Sequence, residues 1–221
     1  MVIGGLACLF CSTPASAKDE CPSFRTITSL KYSIKATKYV RNSSAKDLTD
    51  SNPELAAGEE TILGHAGGRS GVRFSVEYEA AHLRGLSYCL QIKKIKAVFY
   101  TEPVIHIASN FRRGSCEYGS VVKHERQHVK ILHRAHRLHI SKYRAHLRKM
   151  AREFPYFPPV KIEDMQKQQD DAVSYINKGL SEYMNYIGDY VAERQKELDT
   201  PEEYQRVNER CKRWDKKLKE K

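Results

Sequence analysis

The chain lacks an apolar run of membrane-spanning length: a helix that crosses a bilayer needs about 20 apolar residues, and no segment beyond the first 17 approaches that. Residues 1–17, MVIGGLACLFCSTPASA, lack charge altogether, are apolar through Phe10 and end in Ala15-Ser16-Ala17. Too short to span, they predict a signal peptide cut at a small-x-small site, with a secreted or periplasmic mature chain starting near Lys18. Cleavage removes Cys8 and Cys11, so the mature chain also lacks a C-x-x-C pair, and thiolate zinc ligands are not expected. Cys21, Cys89, Cys116 and Cys211 remain, an even number in an oxidising compartment, which predicts two disulfides. Spacing does not assign the pairs; Cys89 with Cys116 would tie a strand region to the helix that follows it.

Acidic residues are scarce where basic ones crowd. Between 123 and 152 only Glu125 is acidic, in a chain whose formal net charge is +11. Such a stretch is either a solvated helix face or the partner of something anionic, such as an envelope polymer, a lipid surface or an acidic substrate. Export argues against nucleic acid as a partner. Internal repeats and low-complexity tracts are absent, and residues 18–221 are enough for one core and one domain.

Strand-like alternation fills about 24–109, in FRTITSLKYSIKATKYV, GVRFSVEYEAAHL, YCLQIKKIKAVFY and VIHIAS. GHAGGRSG reads as glycine-rich turn punctuation, and NSSAKDLTDSNPELAAG as a long polar connection. From about 115 to 218 the period becomes helical. Tyr118, Val122, Val129, Leu132, Ile140, Tyr143, Leu147 and Met150 form one stripe of a long helix that ends before FPYFPP. A second helix spans about Ile162–Leu198, with Met165, Ala172, Ile176, Leu180, Ile187 and Val191 inward. A third begins at Thr200, a good N-cap, with Pro201 in the first turn and Glu203 completing a capping box. The expected class is therefore α+β: an antiparallel strand-rich half, then a long helix and two further helices.

The long helix carries H-E-x-x-H once, in KHERQH. With 9 His and the glutamates of this chain, random placement yields the pattern in about 3 of every hundred such chains, so context has to carry the assignment. One turn apart on one helix face, His124 and His128 can share a tetrahedral ion. Glu125 then projects beside the metal, where it can deprotonate a water as general base. A carboxylate at the edge of an apolar stripe needs such a partner. EPVIHIAS, the strand just upstream, has an edge to which a substrate peptide could add.

GSCEYGSVVKHERQHV leading into a long helix, and the closing DTPEEYQRVNERC, resemble an uncharacterised group of bacterial exported proteins described as predicted secreted zinc-dependent proteases. The match is strongest over about 85–150 and 199–211, and its one specific motif is H-E-R-Q-H. The resemblance implies a zincin-like domain holding one Zn2+, with His124 and His128 as ligands, Glu125 as general base, and a peptide or protein as substrate. Some members of the group carry a histidine-containing segment near the closing stretch, whereas this chain has no His after 146.

The third ligand stays open. Arg134 occupies the position of the long-spaced metzincin histidine, and His136 and His139 lie about 12–16 Å along the helix from His128, too far for the same ion. They are expected to be solvated, or part of a second, weak metal site. If the two long helices pack antiparallel, the motif lies opposite about 186–194, which offers Asp189 and Glu193; Glu202 and Glu203 are the other candidates. Tyr183, Tyr186 and Tyr190 are available by position to stabilise an oxyanion, or simply pack. Six of nine histidines fall within 124–146, so a non-catalytic metal-sequestering protein, or one that binds an anionic surface, is the alternative reading.

Overall fold

A computed structural model describes residues 21–22, 25–54, 61–83, 85, 87–154, 157–212 and 214–219. Residues 1–17, expected to be a signal peptide, with Cys8 and Cys11, lie outside the described residues. The chain is α+β. Strands β1 (Ile27–Ile34) and β2 (Lys38–Val40) precede a short helix α1 (Ala45–Ser51), then two long strands, β3 (Gly64–His82) and β4 (Ser87–Ile107). Helix α2 (Cys116–Glu153), a two-residue strand β5 (Val160–Lys161), a 3-10 turn over 162–164, and helices α3 (Met165–Lys196), α4 (Pro201–Glu209) and α5 (Trp214–Lys219) complete it.

The sheet is mixed rather than wholly antiparallel. β4 runs through its middle, antiparallel to β3 along one side, while β1 and β2 pair with it in parallel on the other. EPVIHIAS is therefore the end of a 21-residue central strand, not a short edge. At Val104–His106 it is covered by β2 on one side and by β3 on the other. The available edge beside the motif belongs to β3, which pairs only with β4 among the described residues.

GHAGGRSG proves to be strand, and its glycines have steric reasons. A Cβ at Gly64 would lie 2.5 Å from Val121 Cγ1 and 2.8 Å from the His106 carbonyl oxygen, so only glycine lets β3 come this close to α2. Gly68 adopts φ +118°, outside the range of L side chains. NSSAKDLTDSNPELAAG contains α1, which Ser44 and Asp47 start with a reciprocal capping box.

α2 lies on the sheet through the expected stripe: Val122, Val129, Tyr143, Leu147 and Met150 are buried, together with Val121 and Ala135. Ala172, Ile176, Leu180, Ile187 and Val191 of α3 close a core with Ala135, Tyr143, Leu147 and Met150 against Ile95, Ala97 and Phe99 of β4, whereas Val121, Val122 and Val129 pack in a second cluster with Ile105, Ile107 and Phe111. Met165, expected inward, is only half-buried.

His136 and His139 are not solvated. His136 is 1 % exposed, edge-on to Phe99 at 4.4 Å, and neither ring nitrogen has a hydrogen-bond partner among the described residues. His139 meets the rings of Tyr183, Tyr186 and Tyr190. Desolvation, helped by His133 and His139, depresses the His136 pKa to about 4. The unfolded chain then binds a proton that the folded chain refuses, so stability is lost as pH falls below about 6.5, a penalty of about 2 kcal/mol at pH 5. Urea unfolding at pH 7 and pH 5 should show this loss in the wild type and less of it in His136→Phe; an unchanged pH dependence in the variant would refute the assignment.

Candidate metal centre

The register between the long helices decides what faces the motif. His139 Nδ1 meets Tyr183 Oη at 3.4 Å, the Tyr143 hydroxyl donates to the Leu180 carbonyl at 3.4 Å, and His146 Nε2 lies 3.0 Å from the Gly179 carbonyl. Residue numbers at each crossing sum to about 323, so His124 and His128 lie level with about 195–199. The expected 186–194 was displaced by some two turns, because α3 begins only after the extended link and 3-10 turn and overhangs the end of α2. Asp189 and Glu193 are consequently too early in α3, and both are exposed.

Asp199 occupies the level position, in the four-residue link between α3 and α4. The Asp199 backbone N–H donates to the Gln195 carbonyl at 3.1 Å, and Thr200 caps α4 by accepting from the Glu203 N–H at 3.2 Å. Asp199 Oδ1 is 3.2 Å from His124 Nε2 and 3.0 Å from His128 Nε2, and the two Nε2 atoms are 3.1 Å apart. Three ligand atoms thus form a nearly equilateral triangle. Zinc bonds of about 2.0–2.1 Å in a tetrahedron put ligand atoms about 3.3 Å apart, so the triangle has close to the size of one face of a zinc polyhedron. Among the described residues these three form the one group of His, Cys, Asp or Glu able to converge on an ion.

Glu203 has a different place from the one expected of a ligand. Its Oε1 meets His124 Nδ1 at 3.4 Å, behind the ring, while Arg206 Nε donates to its Oε2 at 2.7 Å. A carboxylate in this position can orient an imidazole from its far nitrogen if the near one takes a metal. The capping box is only half made as a result: the Glu203 side chain leaves the Thr200 cap for His124 and Arg206. Glu202 is exposed and stays at the cap, near Thr200.

Glu125 is 5 % exposed and faces β3, where its carboxylate accepts a hydrogen bond from the Ala66 backbone. Burial pushes its pKa up to about 7, against the opposing pull of His128 and His124. Burial acts in the other direction on His124, but Asp199, Glu125 and Glu203 outweigh it and raise that pKa. Asp199 is also partly desolvated, yet the two imidazoles hold its carboxyl well below the usual carboxylate range. An acid of raised pKa thus sits beside an anionic ligand set.

A cleft of about 570 Å³ opens over this cluster, between Thr61–Ala66, the motif turn of α2, and α4–α5. Tyr204 lines it with its ring 5.8 Å from His124, and so do Gly64 and Trp214. Tyr183, Tyr186 and Tyr190 lie farther along α2, packed on His139, and take no part.

Two disulfides are present, as expected, but paired as Cys21–Cys89 and Cys116–Cys211 rather than Cys89–Cys116. The second joins the first residue of α2 to the end of α4, eight residues from His124 on one side and from Glu203 on the other. It clamps together the two helices that face each other across the cluster.

Sequence reasoning missed Asp199 and Tyr204, although both lie in DTPEEYQRVNERC, the second stretch that carried the resemblance. Asp199 was hidden in a helix-start signal, where an Asp before a Thr N-cap is ordinary. No family model, curated protein or solved structure matches this chain.

Proposed function

We propose that the protein is an exported zinc-dependent metallopeptidase of zincin-like design, in which His124, His128 and Asp199 hold one zinc ion and Glu125 is the general base. The observation that carries this reading is the triangle of His124 Nε2, His128 Nε2 and Asp199 Oδ1, closed by a link 71 residues beyond the motif turn, with a buried carboxylate and an open cleft beside it. Three protein ligands leave a fourth position for water or substrate, which distinguishes a catalytic site from a structural one.

When bound, zinc supplies a Lewis acid that polarises the substrate carbonyl and acidifies the attacking water. This chain's residues do the rest. Glu125, fixed by the Ala66 backbone, takes the proton of the water and passes it to the leaving amine. Glu203, anchored by Arg206, holds the His124 ring in plane and keeps a proton on its Nδ1. The edge of β3 at Gly64–Ala66 offers main-chain groups, apart from the Ala66 N–H that Glu125 already holds, to which an extended peptide can add as a further strand. Tyr204, which lines the cleft with its ring beside His124, is the candidate donor to the oxyanion.

The two disulfides fit an oxidising compartment, and among the described residues no helix is long and apolar enough to cross a membrane. Multi-ion sequestration loses its basis, because His136 and His139 are enclosed by aromatic rings instead of lining a site. The test is metal analysis of the protein purified without a histidine tag, with casein or a quenched-peptide library as substrate. One zinc per chain and hydrolysis that chelator abolishes are expected. Protein that takes up no zinc at micromolar excess would overturn the proposal.

A further inference from the structure

Strand β3 forms an edge of the sheet for 19 residues, and it lacks the features by which edges keep a further strand away. Gly64–His82 contains no Lys and no Pro, and the one irregularity of its ladder with β4 puts the extra residue, Lys93, in β4. Among the described residues β3 pairs only with β4, so a row of main-chain N–H and C=O groups is open along its other side. The inner face is incomplete at the same place. Ile95, Ala97 and Phe99 of β4 are 1 % exposed, whereas Val72, Phe74 and Val76, directly opposite them on β3, and Tyr78 are only half-buried.

The stretch Val72-Arg73-Phe74-Ser75-Val76-Glu77-Tyr78 is complementary to its own reverse. A second copy laid antiparallel and centred on Ser75 sets Arg73 opposite the partner's Glu77, and, by the twofold axis, Glu77 opposite the partner's Arg73. On the inner face Phe74 meets the partner's Val76 and Val72 the partner's Tyr78, aromatic against β-branched, as stabilises antiparallel ladders. Centring on Phe74 or Val76 sets one member of the charged pair against Ser75, and centring on Arg73 or Glu77 sets like charges opposite each other. Arg73 and Glu77 are exposed. Within the chain Arg73 lies over the Tyr100 ring and 3.5 Å from Glu102, while Glu77 pairs with Lys96. The second strand extends these pairs into a row of alternating charge, Lys96 and Glu77 of one copy followed by the partner's Arg73 and Glu102.

We infer that the open edge of β3 is a dimer interface, at which two copies of this chain join through antiparallel β3 strands centred on Ser75 into one continuous sheet. In this register the last residue of the strand, His82, falls opposite the partner's Gly68, whose φ of +118° interrupts the extended backbone. The pairing therefore stops short of Gly64–Ala66, and each copy keeps its own cleft open. This inference does not depend on peptidase activity.

Sedimentation velocity of the full mature chain across micromolar concentrations tests it. Wild type should pass from monomer to dimer as concentration rises. Arg73→Glu sets acid against acid at both symmetry-related pairs and should weaken the dimer by at least ~10-fold. Adding Glu77→Arg restores opposite charges in reversed order and should bring the affinity back to within ~3-fold of wild type; a residue needed only for the fold of its own chain would not be rescued in this way. Register is read separately by cross-linking. Ser75→Cys should form an intermolecular disulfide on air oxidation, and Ser70→Cys, which the pairing sets against the partner's Ala80, should not. If Arg73→Glu fails to fold, the two cysteine variants decide alone. A monomer at every concentration, an Arg73→Glu dimer as tight as wild type, no recovery in the double variant, or equal cross-linking of the two cysteine variants would each overturn the inference.

Discussion

Asp199→Ala should strip the protein of zinc. Loss of an outer-shell partner already costs a metal site about 10–100-fold in affinity, so loss of one of three direct ligands should exceed ~100-fold, leaving the purified variant metal-free and without hydrolytic activity. Asp189→Ala and Glu193→Ala, on the exposed side of α3, should keep one zinc each, and Asp199→His, which restores a ligand, should recover part of the affinity. Competition titration with a chromophoric chelator reads all four. Zinc retained by Asp199→Ala at wild-type affinity would remove Asp199 from the site. The metal-free protein provides a second readout. The Asp199 carboxyl, held below its ordinary range by His124 and His128, stabilises the fold above its unfolded pKa of about 3.9, and this is lost as pH falls through and below that value. Metal-free Asp199→Ala should accordingly be less stable than wild type at pH 7, and the gap should close in acid.

Glu125→Gln separates chemistry from binding. The amide matches the carboxylate in shape and can still accept from the Ala66 N–H, so zinc should remain at one per chain. Peptide hydrolysis should fall by about 10²–10⁴-fold in kcat, the usual contribution of a positioned general base, with little change in KM. Stability should move the other way. Burial raises the Glu125 pKa from about 4.5 to about 7, so the metal-free wild type loses stability as pH rises between those values, by on the order of 3 kcal/mol in all. Gln carries no such cost, and metal-free Glu125→Gln should be at least as stable as wild type at pH 8. A residue kept for packing would behave in the opposite way, with a loss of stability and no specific loss of kcat. Activity undiminished in Glu125→Gln would end the assignment of Glu125 as base.

Much of this was legible along the chain, and each success has a local cause. The apolar stripe from Val122 to Met150 predicts the buried face of α2 because helical period is a property of the backbone. His124, Glu125 and His128 are read together because three and four residues make one turn. Thr200 and Pro201 start α4 as their cap chemistry requires. The failures are equally specific. GHAGGRSG looks like a turn because glycine usually signals conformational freedom, but Gly64 is there for the approach of β3 to Val121, a contact with a residue 57 positions away. His136 looks solvated beside Arg137, and its burial depends on Phe99 and Tyr32 of the sheet. Parallel pairing of β1 with β4 leaves no trace in strand patterns that are alternating in either case.

The sequence by itself determined the α+β order, the helix that bears the motif, the placing of His124, Glu125 and His128 within one of its turns, and the even cysteine count, since all of these follow from local period, spacing and composition. Only the tertiary structure decided the third corner of the site. The offset between α2 and α3 is set by how their side chains pack and by the length of the link between them. That offset, with the Cys116–Cys211 bridge clamping α4 against the start of α2, puts Asp199 in front of the histidines and Glu203 behind one of them. Residues 75 and 79 positions beyond His124 become its neighbours through packing energy summed over many contacts, which no local pattern encodes.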